Sequence, residues 1–214
     1  MKKIAVAVLF LTCASSSYGQ LFEAWFNGGE SLISSRNLGS TFPDTSGGAA
    51  NDYSLGDGFR FSLRIAFNND RHFGHEVGYS YSRSSLIVQG APLEAQFLPP
   101  TPPQSTGMAI HQGGYNFLYY ATTEGTRIRP FATGGVLFAN YVPPGSSAAG
   151  GGGSNKFGFS YGGGVKIKIT SLFGLRVDVR QATTPKPDFG GAILYLRQGW
   201  MKLNELSAGI GVGF

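Results

Sequence analysis

The sequence predicts an all-β fold, an eight-stranded antiparallel up-and-down transmembrane β-barrel. Three observations lead there. Apolar residues alternate with small or polar ones at a period of two, in segments of about ten residues. The connections between these segments alternate between long and short. Charged residues make up only 14% of the chain against a usual share of about 25%, while the 33 glycines fall inside the alternating runs as well as between them. Such a chain suits curved antiparallel strands with an apolar exterior better than a charged, water-facing surface.

The chain divides into residues 1–19, a signal peptide, and 20–214, the barrel. Lys2 and Lys3 supply a positive start, Ile4 to Leu11 an apolar stretch, and Ser17 and Gly19 the small residues that precede a cleavage site. An apolar stretch that short cannot cross a bilayer as a helix. The single cysteine, Cys13, lies in this segment, and Phe10-Leu11-Thr12 before it is a poor lipid-attachment pattern. The mature chain therefore has no disulfide and no thiol chemistry. Loss of Lys2 and Lys3 leaves 15 basic residues against 12 acidic ones, a charge of +3 instead of +5. With no basic run beyond Lys166-Ile167-Lys168, no nucleic-acid partner is expected. No Cys/His cluster exists to hold a metal. The glycines at 150–153 are not followed by Lys-Ser/Thr, so they are not a phosphate loop and no cofactor is expected.

Past residue 19 no window of about 18 apolar residues occurs, which excludes membrane-spanning helices. The alternation instead marks strands at 21–28 (continuing to 34), 58–68, 71–86, 108–121, 127–141, 156–168, 174–181 and 201–214. The second is clear: Phe59, Phe61, Leu63, Ile65 and Phe67 alternate with Arg60, Ser62, Arg64 and Ala66. The fifth is irregular, because Arg127 and Arg129 share a parity with Phe131 and Leu137; a bulge or a partly apolar interior would explain it. Connections after the second, fourth and sixth strands are a few residues long. Those after the first, third, fifth and seventh are far longer and rich in Pro and Gly. Tight turns at one end and long loops at the other, with an even strand count, are what a bacterial outer-membrane barrel requires. Both mature termini then lie on the periplasmic side, and the long loops are free to bind external ligands.

One parity of each clear strand is aromatic and aliphatic, the other Gly, Ser and charge. Eight strands enclose little room, so the small and polar parity suits the inside and the rings suit lipid. The inside then collects Arg60, Arg64, Glu76, Lys166, Lys168, Arg176, Asp178, Arg180 and Glu205. In a narrow lumen such charges pair or are hydrated. They form either a network of salt bridges that plugs the barrel or the lining of a narrow pore favouring anions. Trp25, Tyr119, Tyr141 and Trp200 are placed near strand ends, where interfacial aromatic girdles belong. A hydrolase would need a Ser–His–acid set. His75 with Glu76 and Ser80 or Ser82 is the nearest approach, but Glu76 and His75 have opposite parity; His72 and His111 read as surface polar residues.

The segments Tyr161-Gly-Gly-Gly-Val-Lys-Ile-Lys168, Gly174-Leu-Arg-Val-Asp-Val-Arg180 and Arg129-Pro-Phe-Ala-Thr-Gly-Gly135 resemble strands of the small outer-membrane barrels of the OmpA-like family. The closing alternation Leu206, Ile210, Val212 and terminal Phe214 is similar to that family's assembly signal. The resemblance implies insertion by the barrel-assembly machinery through the last strand. It covers the barrel only, so a cell-wall-binding domain is not implied. The function expected is a monomeric integral outer-membrane protein with a structural or surface-interaction role. The alternatives are a small porin-like channel for polar or anionic solutes and, third, a lipid-modifying enzyme.

Overall fold

The computed structural model describes residues 22–41, 51–69, 71–90, 103–143, 145, 153–189 and 195–213. Its strands are β1 (Phe22–Ser34), β2 (Asn37–Ser40), β3 (Asp52–Leu55), β4 (Gly58–Asn68), β5 (Phe73–Gln89), β6 (Gln104–Tyr120), β7 (Ile128–Val142), β8 (Ser154–Lys168), β9 (Phe173–Pro185), β10 (Tyr195–Leu196) and β11 (Trp200–Gly213). Eight of these, β1, β4 to β9 and β11, form a closed antiparallel ring. They are the eight strands that the alternation predicts, with ends shifted by a few residues. The closing pair joins β1 to β11, with Phe26 opposite Ile210 and Gly29 opposite Ser207.

The ring is staggered. Following cross-strand partners from Glu23 through Ala66, Glu76, Asn116, Gly135, Ser160, Ala182 and Leu203 leads back to Ile33, ten residues further along β1. Stagger and strand number together fix the tilt and the diameter, and eight strands leave an interior that side chains can fill. The charge-bearing parity faces that interior. On β9, Val179 is 57% exposed while its neighbour Arg180 is 4% exposed. Phe59, Leu63, Tyr115 and Ile210 are likewise outside, and Arg60, Arg64 and Glu76 inside. This is a soluble barrel turned inside out, and closure leaves no unpaired sheet edge on the ring.

On β7 the pairing runs without a register shift along both edges. The irregular parity is therefore a partly apolar interior and not a bulge: Phe131, Leu137, Ala139 and Tyr141 point inward with Arg129 and Thr133.

Three short strands lie in the connections and were not expected from the alternation, being too short to show a period. Ser35 adopts a φ of 57° and breaks β1 from β2. Asp57 fastens the break, accepting from the Ile33 amide at 2.7 Å and from Arg36 Nη2 at 3.2 Å. β3 then pairs with β2 and with the far end of β5, and β10 pairs with β2, so the wall continues beyond the ring at the long-loop end.

The closing pair gives a direct check. Cysteines placed at Phe26 and Ile210 in a Cys13→Ser background are expected to form a disulfide under mild oxidation, read as a shift in gel mobility. Cysteines at Phe26 and Val179 are expected not to.

Candidate functional site in the barrel interior

The chemistry-bearing side chains converge on the interior, and strand geometry puts them there. Arg176, Asp178 and Arg180 are spaced by two along β9 and so share one face. β5 lies four strands from β9 in either direction round the ring, which sets Glu76 directly across the lumen. Arg176 donates to Glu76 through Nη1 at 2.6 Å and to Asp178 through Nε at 2.7 Å. Arg180 Nη2 donates to the other Glu76 oxygen at 2.7 Å. Arg64 on β4 pairs with Asp178, and Ser207 Oγ on β11 donates to the same carboxylate at 2.6 Å. Four strands are tied through two carboxylates.

Glycines on β8 make room for this cluster. A Cβ on Gly162 would meet the Val179 carbonyl at 2.2 Å, and one on Gly164 would meet the Asp178 Cβ at 2.6 Å. Side chains there would drive β8 off β9.

Toward the long-loop end a second group forms. Arg60 Nη1 lies 2.7 Å from Glu205, and Gln112 accepts from Arg60 at 3.3 Å and from Ser80 at 2.9 Å. A cavity of about 40 Å³ runs between the two groups, lined by Arg60, Arg64, Glu76, Gln112, Arg180 and Glu205 among others. Beyond it the interior turns apolar. Ile33, Met108, Ile110, Tyr141, Met201 and Leu203 pack into one buried cluster, with Leu38 of β2 and Leu55 of β3 closing over it. The Tyr141 hydroxyl is satisfied by Thr184 Oγ1 at 2.7 Å.

Toward the short-turn end lies a third group. Lys166 pairs with Glu23 and donates to the Tyr120 hydroxyl at 2.6 Å. Glu23 also accepts from Trp25 Nε1 at 2.8 Å and Asn68 Nδ2 at 3.0 Å, and Tyr120 donates to Asn68 Oδ1 at 2.9 Å. Arg129 stacks 3.9 Å above the Tyr120 ring.

Of the nine predicted lumen charges, Arg60, Arg64, Glu76, Lys166, Arg176, Asp178, Arg180 and Glu205 are buried and ion-paired. Lys168 is not among them. It is only half-buried, two residues past Lys166 toward the short-turn end, and no carboxylate pairs with it among the described residues. Two interfacial assignments are also corrected. Trp25 and Tyr141 point into the barrel, at 5% and 0% exposure. The Trp25 ring fits because small residues sit beside it, Gly211 and Gly174. Tyr119 and Trp200 do face outward. Phe214 of the assembly signal and the whole signal peptide lie outside the described residues, while Leu206 and Ile210 are exposed on the outer wall.

Glu23 and Arg129 were missed as interior charges. Both carried a signal: Glu23 shares the parity of Asn27 and Ser31, and Arg129 that of Thr133. Trp25 on the same parity as Glu23 masked it. The hydrolase set is not assembled: Glu76, Ser80 and Ser82 are buried inside, whereas His75 is outside with its Nδ1 2.5 Å from the Tyr115 hydroxyl.

Removing one partner of a buried ion pair leaves an uncompensated charge, which costs about 3–5 kcal/mol. Glu76→Ala is therefore expected to lower the unfolding free energy in vesicles by that amount. Arg36→Ala, which breaks a pair whose side chains are 48% and 41% exposed, is expected to cost no more than about 1 kcal/mol. The chain's two tryptophans give a second check. Phosphatidylcholine brominated near the head group is expected to quench Trp200 in the Trp25→Phe variant and to leave Trp25 bright in the Trp200→Phe variant.

Comparison with known proteins agrees with this architecture. None of the curated protein sequences matches the chain. Among solved structures, Neisserial surface protein A is similar, with 16% identity and a TM-score of 0.56, over 92% of this chain and 100% of that one. The outer membrane protein OprG from Pseudomonas aeruginosa is similar too, with 12% identity and a TM-score of 0.60, over 92% and 97%. At these identities the likeness is one of fold. A model of the outer membrane protein beta-barrel domain matches residues 4–214. The chain belongs to the outer-membrane β-barrel family and is a protein of the bacterial outer membrane.

Proposed function

We propose that this protein is a structural or surface-interaction barrel with a lumen that does not conduct. One observation carries the reading. The Glu76 carboxylate meets Arg176 and Arg180 across the full width of the barrel, under a buried apolar cluster that ends in Leu38 and Leu55. An ion crossing here would have to separate fully desolvated pairs and then pass an apolar constriction, and either step is a barrier. In this reading residues 1–19 are the export signal, and both ends of the mature chain face the periplasm. The long loops, raised on β2, β3 and β10, meet external partners. The barrel works as a monomer in lipid and carries out no catalysis.

The competing reading is a narrow channel for polar or anionic solutes. It draws on six buried interior cations among the described residues, Arg60, Arg64, Arg129, Lys166, Arg176 and Arg180, against four carboxylates, Glu23, Glu76, Asp178 and Glu205. Planar-bilayer recording separates the two. No reproducible current is expected from the unmodified protein, and discrete anion-selective steps would establish the channel instead.

Assembly is a separate matter. The outward Leu206 and Ile210 and the terminal Phe214 fit recognition of the last strand by the barrel-assembly machinery. Phe214→Ser is expected to reduce the amount of protein in the outer membrane severalfold, while the fraction that inserts keeps the wild-type heat-dependent gel mobility. Wild-type abundance of that variant would remove the assignment.

A further inference from the structure

Among the described residues the interior has two more buried cations than buried carboxylates, and one of these surplus charges lies at the short-turn end. Glu23 is the last interior carboxylate there among the described residues, and Lys166 already pairs with it. Arg127, Arg129 and Lys168 join Lys166 around one pocket in which Glu23 is the only acid among the described lining residues. Arg129 is the one buried cation without a carboxylate partner among the described residues. It is 7% exposed, its Nη2 reaches the Arg71 carbonyl at 3.4 Å, and its buried Nε has no acceptor. The Lys168 amide bonds the Arg127 carbonyl at 2.8 Å, which sets these two exposed-side cations together at the rim. A buried guanidinium with an unused N–H, flanked by two further cations, is built to receive an anion with several oxygens.

A second recess lies on the other side of the same wall. It lies on the outer face, holds about 230 Å³, and is lined by Ala24, Phe26, Leu63, Ile210 and Val212. The two recesses share Trp25, Phe173 and Gly211. The ladder between them is unbroken, with Trp25 opposite Gly211, and the glycine leaves room for the Trp25 ring, since a Cβ there would stand 2.4 Å from it. A cationic pocket at the rim, with an apolar groove on the membrane-facing side of the same wall, has the two-part chemistry of an amphiphile that bends over the rim. A free anion would use only the first part.

We propose that the short-turn end binds one anionic phospholipid from the adjoining leaflet. Arg129 receives a phosphate oxygen on its free Nε, Arg127 and Lys168 hold the remaining charge, and one acyl chain lies in the groove against Ala24, Leu63 and Ile210. The proposal does not depend on whether the lumen conducts; it needs only that this end of the barrel lies at a bilayer surface.

The test is native mass spectrometry of the barrel released from bilayers of equal phosphatidylglycerol and phosphatidylcholine. One retained phosphatidylglycerol is expected, favoured over phosphatidylcholine by about tenfold or more, as two to three surface cations would give. The double variant Arg127→Gln/Lys168→Gln changes only side chains at the rim, and is expected to bring the preference close to parity with the fold intact. Ala24→Trp fills the groove without touching the cations and is expected to lower lipid retention severalfold. Equal retention of the two lipids, or a preference unchanged in the double variant, would overturn the proposal. Full displacement of the lipid by inorganic phosphate, with no effect of Ala24→Trp, would assign the pocket to a free anion and overturn it as well.

Discussion

The Arg176 guanidinium is fully desolvated between Glu76 and Asp178, and the structure depends on how that charge is neutralised. A buried cation costs several kcal/mol unless its partners are well placed. Here the partners come from the opposite wall and from its own strand. Strand number and stagger fix the distance between β5 and β9, and the ion pairs to Glu76 lock the barrel at that cross-section. The glycines of β8 follow from this, because the wall must stay thin where Asp178 and Arg180 lie against it.

The interior is graded along its length. A mixed aromatic and cationic group around Tyr120 lies at the short-turn end, paired charges lie in the middle, and an apolar cluster lies under the loops. The grading separates two roles. The apolar tier packs like a soluble core and anchors β2 and β3, from which the external loops spring. The cationic end is left with more positive charge than its carboxylates balance. This division suits the two proposals, with macromolecular partners at the loop end and lipid at the other.

The barrel was legible because closure and a two-sided environment impose strict alternation. Phe59 to Phe67 on β4 and Leu175 to Arg180 on β9 could not be read otherwise. The loop strands were not, since four residues such as Asp52 to Leu55 are too few to show a period, and their pairing is set by the distant end of β5. Within the site, eight of nine charges were placed by parity. Lys168 went astray because parity says which face a side chain takes and not how far along the lumen the carboxylates extend. Trp25 and Tyr141 were misassigned because residue type outweighed parity. Trp25 shares its face with Glu23 and Asn27, which was the better guide. Which charges touch was never in the sequence, since Glu76 and Arg176 are 100 residues apart and meet only after the ring closes.

The central claim is that transverse ion pairs lock the barrel, and a double-mutant cycle on Glu76→Gln and Arg176→Gln, followed by denaturant unfolding from lipid vesicles, tests it most directly. The account predicts a coupling energy of about 2 kcal/mol or more, within the range seen for side chains in one buried network. Two substitutions whose costs simply add, within about 0.5 kcal/mol, would contradict it.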